Sequence, residues 1–181
     1  GNTLLNEIVN SKKVFQPSLI LQELNKGIIE ALNQGHDIDD AQSDGMDITV
    51  CKIDRLKGQI EIACANHVVF VINNDSISMI EGDICSIGGL FSILQKPTYT
   101  NHIVPIGKDT TIYMFSDGYQ DQFGGEKNQK FMQNRFKDLL FSLRNLPMDK
   151  QLARLHEEHE LWKGNNKQID DILVMGIKLN N

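Results

Sequence analysis

Between Ile48 and Ile80 the apolar residues stop recurring at helical spacing and fall into short extended runs: Ile48 to Asp54, Gln59 to Ala65, Val68 to Ile72 and Ser76 to Ile80. The breaks between them are only a few residues long, with a turn around Lys57-Gly58. Such short breaks suit antiparallel pairing, because a parallel pair needs a crossover of a dozen or more residues. This block is therefore an antiparallel meander. Helical segments precede it. Asn2 to Val9 puts Leu4, Leu5, Ile8 and Val9 on one stripe, and Pro17-Ser18 opens a second helix with Ile20, Leu21, Leu24, Ile28 and Leu32 in register and Gly35 as its stop. After the meander, residues 81–98 read as a long loop marked by Gly82, Gly88, Gly89 and Pro97. Short strands follow at Asn101 to Val104 and Thr110 to Ser116, then helices at Lys130 to Leu143 and Asp149 to Trp162, and a buried strand at Ile172 to Leu179. The order points to an α+β fold, a sheet covered by helices.

Composition narrows the function classes. With 181 residues, 40% of them hydrophobic, the chain can bury a core without a disulfide or metal staple. Its net charge of −6 and the absence of a Lys/Arg cluster argue against a nucleic-acid binder held by a basic face. No run reaches the ~18 apolar residues of a membrane span, and the start has no signal-peptide pattern, so no membrane contact is expected from this segment. Cys51, Cys64 and Cys85 lie in apolar stretches without metal-ligand spacing and read as reduced core residues, which fits a cytoplasmic location. The chain opens at Gly1 within a periodic segment, so it reads as N-terminally truncated.

Several candidate sites are weak. Residues 37–47 hold Asp37, Asp39, Asp40, Asp44 and Asp47, a set of hard oxygen donors suited to calcium. In the best EF-hand alignment Asp40, Gln42, Asp44 and Gly45 fill the early positions, but Cys51 stands where the bidentate Glu belongs, which favours a solvated turn. His156 and His159, among Glu157, Glu158 and Glu160, are three apart where a zincin helix needs four, so a charged, exposed helix face is expected there. His67 and His102, near strand ends, read as ordinary polar positions.

Two carboxylate sites carry more weight. The apolar run Thr110 to Phe115 ends abruptly in Ser116-Asp117-Gly118, and the run Ile172 to Ile177 begins abruptly after Asp170-Asp171. If these strands are antiparallel neighbours, Asp117 meets Asp170 and Asp171 at one sheet edge. Converging carboxylates repel one another and are stabilised together by a divalent cation. The alternative is a simple Asp117-Gly118 turn beside a loop capped by Asp170-Asp171. The pattern alone leaves both open.

Three segments in this order and spacing, Asp44 to Val50, Thr111 to Gly125 and Gln168 to Gly176, resemble the stage II sporulation protein E family, the bacterial branch of the metal-dependent PPM-type Ser/Thr protein phosphatases. Ala63 to Val71 and Ile87 to Phe91 are similar to weaker signatures of that family, so the resemblance covers essentially the whole chain. It implies an α/β/β/α sandwich with antiparallel sheets, here N-terminally truncated, in which residues 1–181 form one domain, the C-terminal larger part of the family's domain. It also implies two Mn²⁺ or Mg²⁺ ions at one end of the sheets, with Asp117 and Asp170 as ligands, Asp171 adjacent and Gly118 as metal-site backbone. The family's remaining ligands lie in an upstream Gly-Asp strand motif and an Asp-x-x-Gly-His-Gly motif, neither of which is in this sequence.

The activity implied is hydrolysis of phosphoserine or phosphothreonine on a regulatory protein of the anti-sigma-antagonist type, in bacterial signal transduction, by a parent protein that is membrane-anchored or sensory upstream. The truncated chain itself is expected to be weak or inactive. A non-catalytic module that keeps the fold and binds a partner or signal is the competing reading. Missing strands would leave unpaired sheet edges, so a homo-oligomer formed by edge pairing or exchange of an element is expected.

Overall fold

The computed structural model describes residues 2–31, 45–95 and 97–180 and resolves into two compact units, residues 1–69 with 80–106, and residues 70–79 with 107–181. The acidic residues Asp37, Asp39, Asp40 and Asp44 lie outside the described residues.

The first unit is a three-stranded antiparallel sheet covered by helices. β1 (Ile48–Asp54) pairs with β2 (Gln59–Ala65) from Ile48↔Ala65 to Asp54↔Gln59, and β2 pairs in turn with β5 (His102–Pro105). The β1–β2 turn closes because the Asp54 carboxylate accepts the Lys57 N–H at 3.0 Å and Gly58 takes φ +60°. Over the sheet lie α1 (Asn2–Asn6), a π-helical turn (Glu7–Ser11) and α2 (Pro17–Ala31). Proline suits the start of α2, since its missing N–H would have no helical partner there. Ile20, Leu21 and Leu24 of α2 join Ile8, Ala63, Ala65, Ile87 and Tyr99 in one buried cluster.

Residues 81–98 differ from the expected loop. They contain α3 (Gly89–Gln95), held by a partner remote in sequence: the buried Asn25 Oδ1 accepts the Gly88 N–H at 2.7 Å and the Ser92 hydroxyl at 2.5 Å. Gly88 and Gly89, at φ +71° and +73°, turn the chain into it.

The second unit carries a four-stranded sheet in the order β4-β3-β6-β9, where β3 is Val68–Asn73, β4 Ser76–Glu81, β6 Asp109–Phe115 and β9 Val174–Asn180. A short helix α4 (Gly118–Asp121), the hairpin β7 (Phe123–Gly124) and β8 (Gln129–Lys130), and helices α5 (Gln133–Leu143) and α6 (Met148–Lys163) complete it. Its core is aromatic: Phe115 stacks on Phe70 at 5.0 Å and meets Phe136 edge-on at 5.0 Å, and Tyr119 stacks on Phe136 at 4.5 Å. β9 starts two residues later than the sequence suggests; just before it, the Leu173 N–H is taken by the Ser116 hydroxyl rather than by a strand carbonyl.

Candidate active site

β6 and β9 are antiparallel neighbours, in register from Asp109↔Asn180 to Phe115↔Val174. The C-terminal end of β6 therefore lies beside the N-terminal start of β9, and Asp117-Gly118 and Asp170-Asp171 come to the same edge of one sheet.

Ser116 sets how these segments meet. Its backbone N–H donates to the Leu173 carbonyl at 2.9 Å, its hydroxyl donates to the Asp171 carbonyl at 2.8 Å, and the same oxygen accepts the Leu173 N–H at 2.8 Å. Three hydrogen bonds from one residue thus continue the ladder past the last strand pair. Gly118 completes the fit. A Cβ there would stand 2.4 Å from the Asp171 carbonyl oxygen and 3.1 Å from Ile172 Cγ1, so close approach of two backbones, rather than an unusual φ, requires glycine.

The carboxylates stay exposed. Asp117 occupies the N-cap position of α4 without a side-chain capping bond, while its carbonyl accepts the Asp121 N–H at 2.9 Å. Asp170 Oδ1 accepts the Asp171 N–H at 2.7 Å, and Gln168 Nε2 donates to the Asp170 carbonyl at 2.8 Å. The platform beneath is rigid: Tyr119 is buried and its hydroxyl donates to the Leu155 carbonyl at 2.8 Å, and the buried Gln122 Nε2 donates to the carbonyls of Phe123 and Lys167, both at 3.0 Å. The sequence reading took Ser116 only as part of a motif and passed over Gln122. A hydroxyl at the exit of an apolar strand was the available signal for Ser116.

The donor set fits a hard divalent cation in kind, since carboxylate oxygens exposed on a fixed backbone suit Mg²⁺ or Mn²⁺, and Mg²⁺ is commonly held by one or two carboxylates with the rest of its shell water. It is short in number: no group of three or more His, Cys, Asp and Glu among the described residues is arranged to hold a metal ion.

The structure corrects the expectation for the last helix. His156 and Glu160 are exposed, but His159 is only 5% exposed, packed 5.2 Å from the Tyr119 ring with Nδ1 3.4 Å from the Glu160 carboxylate and Nε2 buried without a partner. Burial holds its pKa below the ordinary histidine value. Spacing on α6 turns His159 inward with Leu155, a placement its polar neighbours in sequence obscure. Of the acidic stretch, Asp47 is described, and its carboxylate accepts from Ser86 Oγ and from Asn66 Nδ2 at 3.0 Å. The three cysteines are free, and burial raises each thiol, Cys51 to about 11, so none is poised as a nucleophile. His67 Nδ1 lies 2.7 Å from Thr49 Oγ1. No helix among the described residues is long and apolar enough to cross a membrane.

The model of the family described as Stage II sporulation protein E (SpoIIE) matches residues 2–180. The chain belongs to the stage II sporulation protein E family. Solved structures agree on the fold. The SiaA-PP2C domain of Pseudomonas aeruginosa matches at a TM-score of 0.85 and 23% identity over 98% of this chain and 67% of that one. The phosphatase domain of the cell fate determinant SpoIIE from Bacillus subtilis, in its Mn-presoaked form, matches at 0.62 and 14% over 99% of this chain and 72% of that one. The RsbU and RsbW domains of Rv1364c from Mycobacterium tuberculosis match at 0.69 and 15% over 96% and 44%. No curated protein sequence matches. This member of the SpoIIE family therefore has the PP2C-type phosphatase-domain fold, mixed helix and antiparallel sheet.

Proposed function

We propose that this chain, residues 1–181 taken as one phosphatase-like domain, is part of a metal-dependent protein Ser/Thr phosphatase that hydrolyses phosphoserine or phosphothreonine on a regulatory protein of the anti-sigma-antagonist type. The observation that carries this reading is the meeting of Asp117-Gly118 and Asp170-Asp171 at one sheet edge of a PP2C-type fold. Asp117 and Asp170 would each give carboxylate oxygens to Mn²⁺ or Mg²⁺, with Asp171 beside them. Bound there, divalent ions would offset the charge of phosphoryl oxygens and lower the pKa of the attacking water. The chain's own part is to hold the carboxylates in place: Ser116 pins the Asp171 backbone, Gly118 lets the two segments close, and Tyr119 and Gln122 anchor what lies beneath. The attacking group in this reading would be a water, with no covalent enzyme intermediate needed. A cytoplasmic setting and a bacterial signalling role belong to the same proposal; for the signalling role, the support is a structural neighbour that carries RsbU and RsbW domains in one protein.

Two carboxylates are a short ligand set, so turnover by this chain alone should be low yet metal-dependent. The test is phosphate release from a phosphoserine protein with and without Mn²⁺, for the chain and for D117N and D170N. Mn²⁺-dependent release lost in both variants supports the reading. Release unaffected by either variant overturns the site, and no Mn²⁺-dependent release at any enzyme concentration favours the non-catalytic partner-binding module, which the scarcity of further metal-ligating groups also favours.

A further inference from the structure

Helices α5 and α6 border a groove of about 510 Å³ on the second unit. From α5 it is lined by Arg135, Asp138, Leu139 and Ser142, a stripe at i, i+3, i+4 and i+7, and from α6 by Leu161 and Trp162. The floor is apolar and partly open, with Leu161 70% exposed. The Arg135 guanidinium carbon sits 4.1 Å over the Trp162 ring centroid and 5.5 Å over that of Phe131. That ring is itself fixed, because its indole N–H donates to the Gln122 carbonyl at 3.0 Å and it meets Phe131 edge-on at 5.3 Å. Arg135 is thus a cation held in place by stacking, and it has no hydrogen bond or ion pair among the described residues. Asp138, one turn along the same stripe, has none either. Glu158, the third charge at the groove, is already paired with Arg154 at 3.0 Å.

A fixed cation and an unpaired anion one helical turn apart, beside an apolar floor, select among partners. An acidic segment would satisfy Arg135 and face Asp138 with like charge; a basic segment would do the reverse. A second α5 laid antiparallel satisfies both. A two-fold axis passing between residues 136 and 137 sets Arg135 opposite Asp138 of the other copy and Asp138 opposite its Arg135, the self-complementarity an isologous interface requires. Trp and Arg are also the residues most enriched where interfaces gain their affinity.

We propose that the α5–α6 face, centred on Arg135, Asp138 and Trp162, is a self-association surface through which two copies of this chain pair about a two-fold axis. This is independent of the carboxylate edge and of any activity there.

The test is sedimentation equilibrium over a dilution series, with far-UV circular dichroism to confirm folding. The wild-type chain should reach twice its mass of 20.5 kDa. R135D and D138R should each weaken pairing at least about tenfold. Mixing the two variants should restore it, because one then carries two acids and the other two bases at the facing positions. That restoration also separates lost contacts from lost folding. A wild-type chain that is monomeric throughout, pairing that ignores both single reversals, or variants that stay apart when mixed would each overturn the proposal. Pairing insensitive to both would place the contact elsewhere, for example along the edge of β9.

Discussion

Replacing Gly118 with alanine tests how the carboxylate edge is built. The new Cβ would lie 2.4 Å from the Asp171 carbonyl oxygen and 2.9 Å from its carbon, about 1 Å inside ordinary contact at 3.4 Å. The obstacle is backbone, so no rotamer change relieves it. The Asp171 carbonyl would have to retreat by most of that ångström, and this is the group that accepts the Ser116 hydroxyl at 2.8 Å. Overpacking of this kind costs about 1–3 kcal/mol and a lost hydrogen bond about 0.5–1.5, so G118A should be destabilised by about 2–4 kcal/mol. Gly58→Ala is the control: there φ is +60° with nothing within 4 Å, so only left-handed strain applies, about 1–2 kcal/mol. Urea unfolding of both variants, at matched m-values, gives the comparison. The close-approach argument fails if G118A lies within about 0.5 kcal/mol of wild type, or costs no more than G58A.

Other perturbations follow from single residues. His159 titrates below its unfolded value because burial disfavours the charged ring, so the unfolded chain binds more protons as pH falls below about 6.5 and stability declines on acidification. H159F should flatten thermal stability between pH 7 and 5 relative to wild type; an unchanged slope would mean the ring is solvated. Lys52→Met leaves the buried Glu61 carboxylate without the ammonium 2.8 Å away and should cost about 1–3 kcal/mol at pH 7 by urea unfolding. Because the Lys52 hydrogen bond is the first cause of Glu61's lowered pKa, K52M should also lose less stability than wild type as pH falls through the carboxylate range; an equal loss would place the acid sensitivity elsewhere. Ser116→Ala removes two side-chain hydrogen bonds and should cost about 1–3 kcal/mol, with faster amide exchange at Leu173 as the local sign; unchanged exchange there would show that the hydroxyl does not hold this loop.

What could be read from the sequence was what local chemistry decides. The strands Ile48–Asp54 and Gln59–Ala65 and the turn at Lys57-Gly58 came out with the same bounds, since an extended apolar run and a glycine turn act over a few residues, but the meander read on to Ile80 does not hold: β2 takes β5 as its next neighbour, and β3 and β4 belong to the sheet with β6 and β9. The pairing of β6 with β9 was legible as a condition, because two apolar runs with carboxylates at opposite ends can align only one way if they are antiparallel neighbours. What escaped depends on distant partners. α3 needs Asn25, far away in the chain, to accept from Gly88 and Ser92. His159 looks solvated among glutamates until α6 is seated on Tyr119. Within the candidate site, the aspartates were visible as a pattern, but the Ser116 clamp was not, since its acceptor and donor lie more than fifty residues on.

The central claim is that Asp117 and Asp170 together hold a divalent cation. Titrating Mn²⁺ into ¹⁵N-labelled chain and mapping paramagnetic broadening of amide signals reads this residue by residue. Broadening centred on Ser116–Gly118 and Asp170–Leu173, and abolished by D117N or D170N, is the predicted result. Broadening centred on the acidic stretch at residues 37–47, or unchanged in both variants, would contradict it.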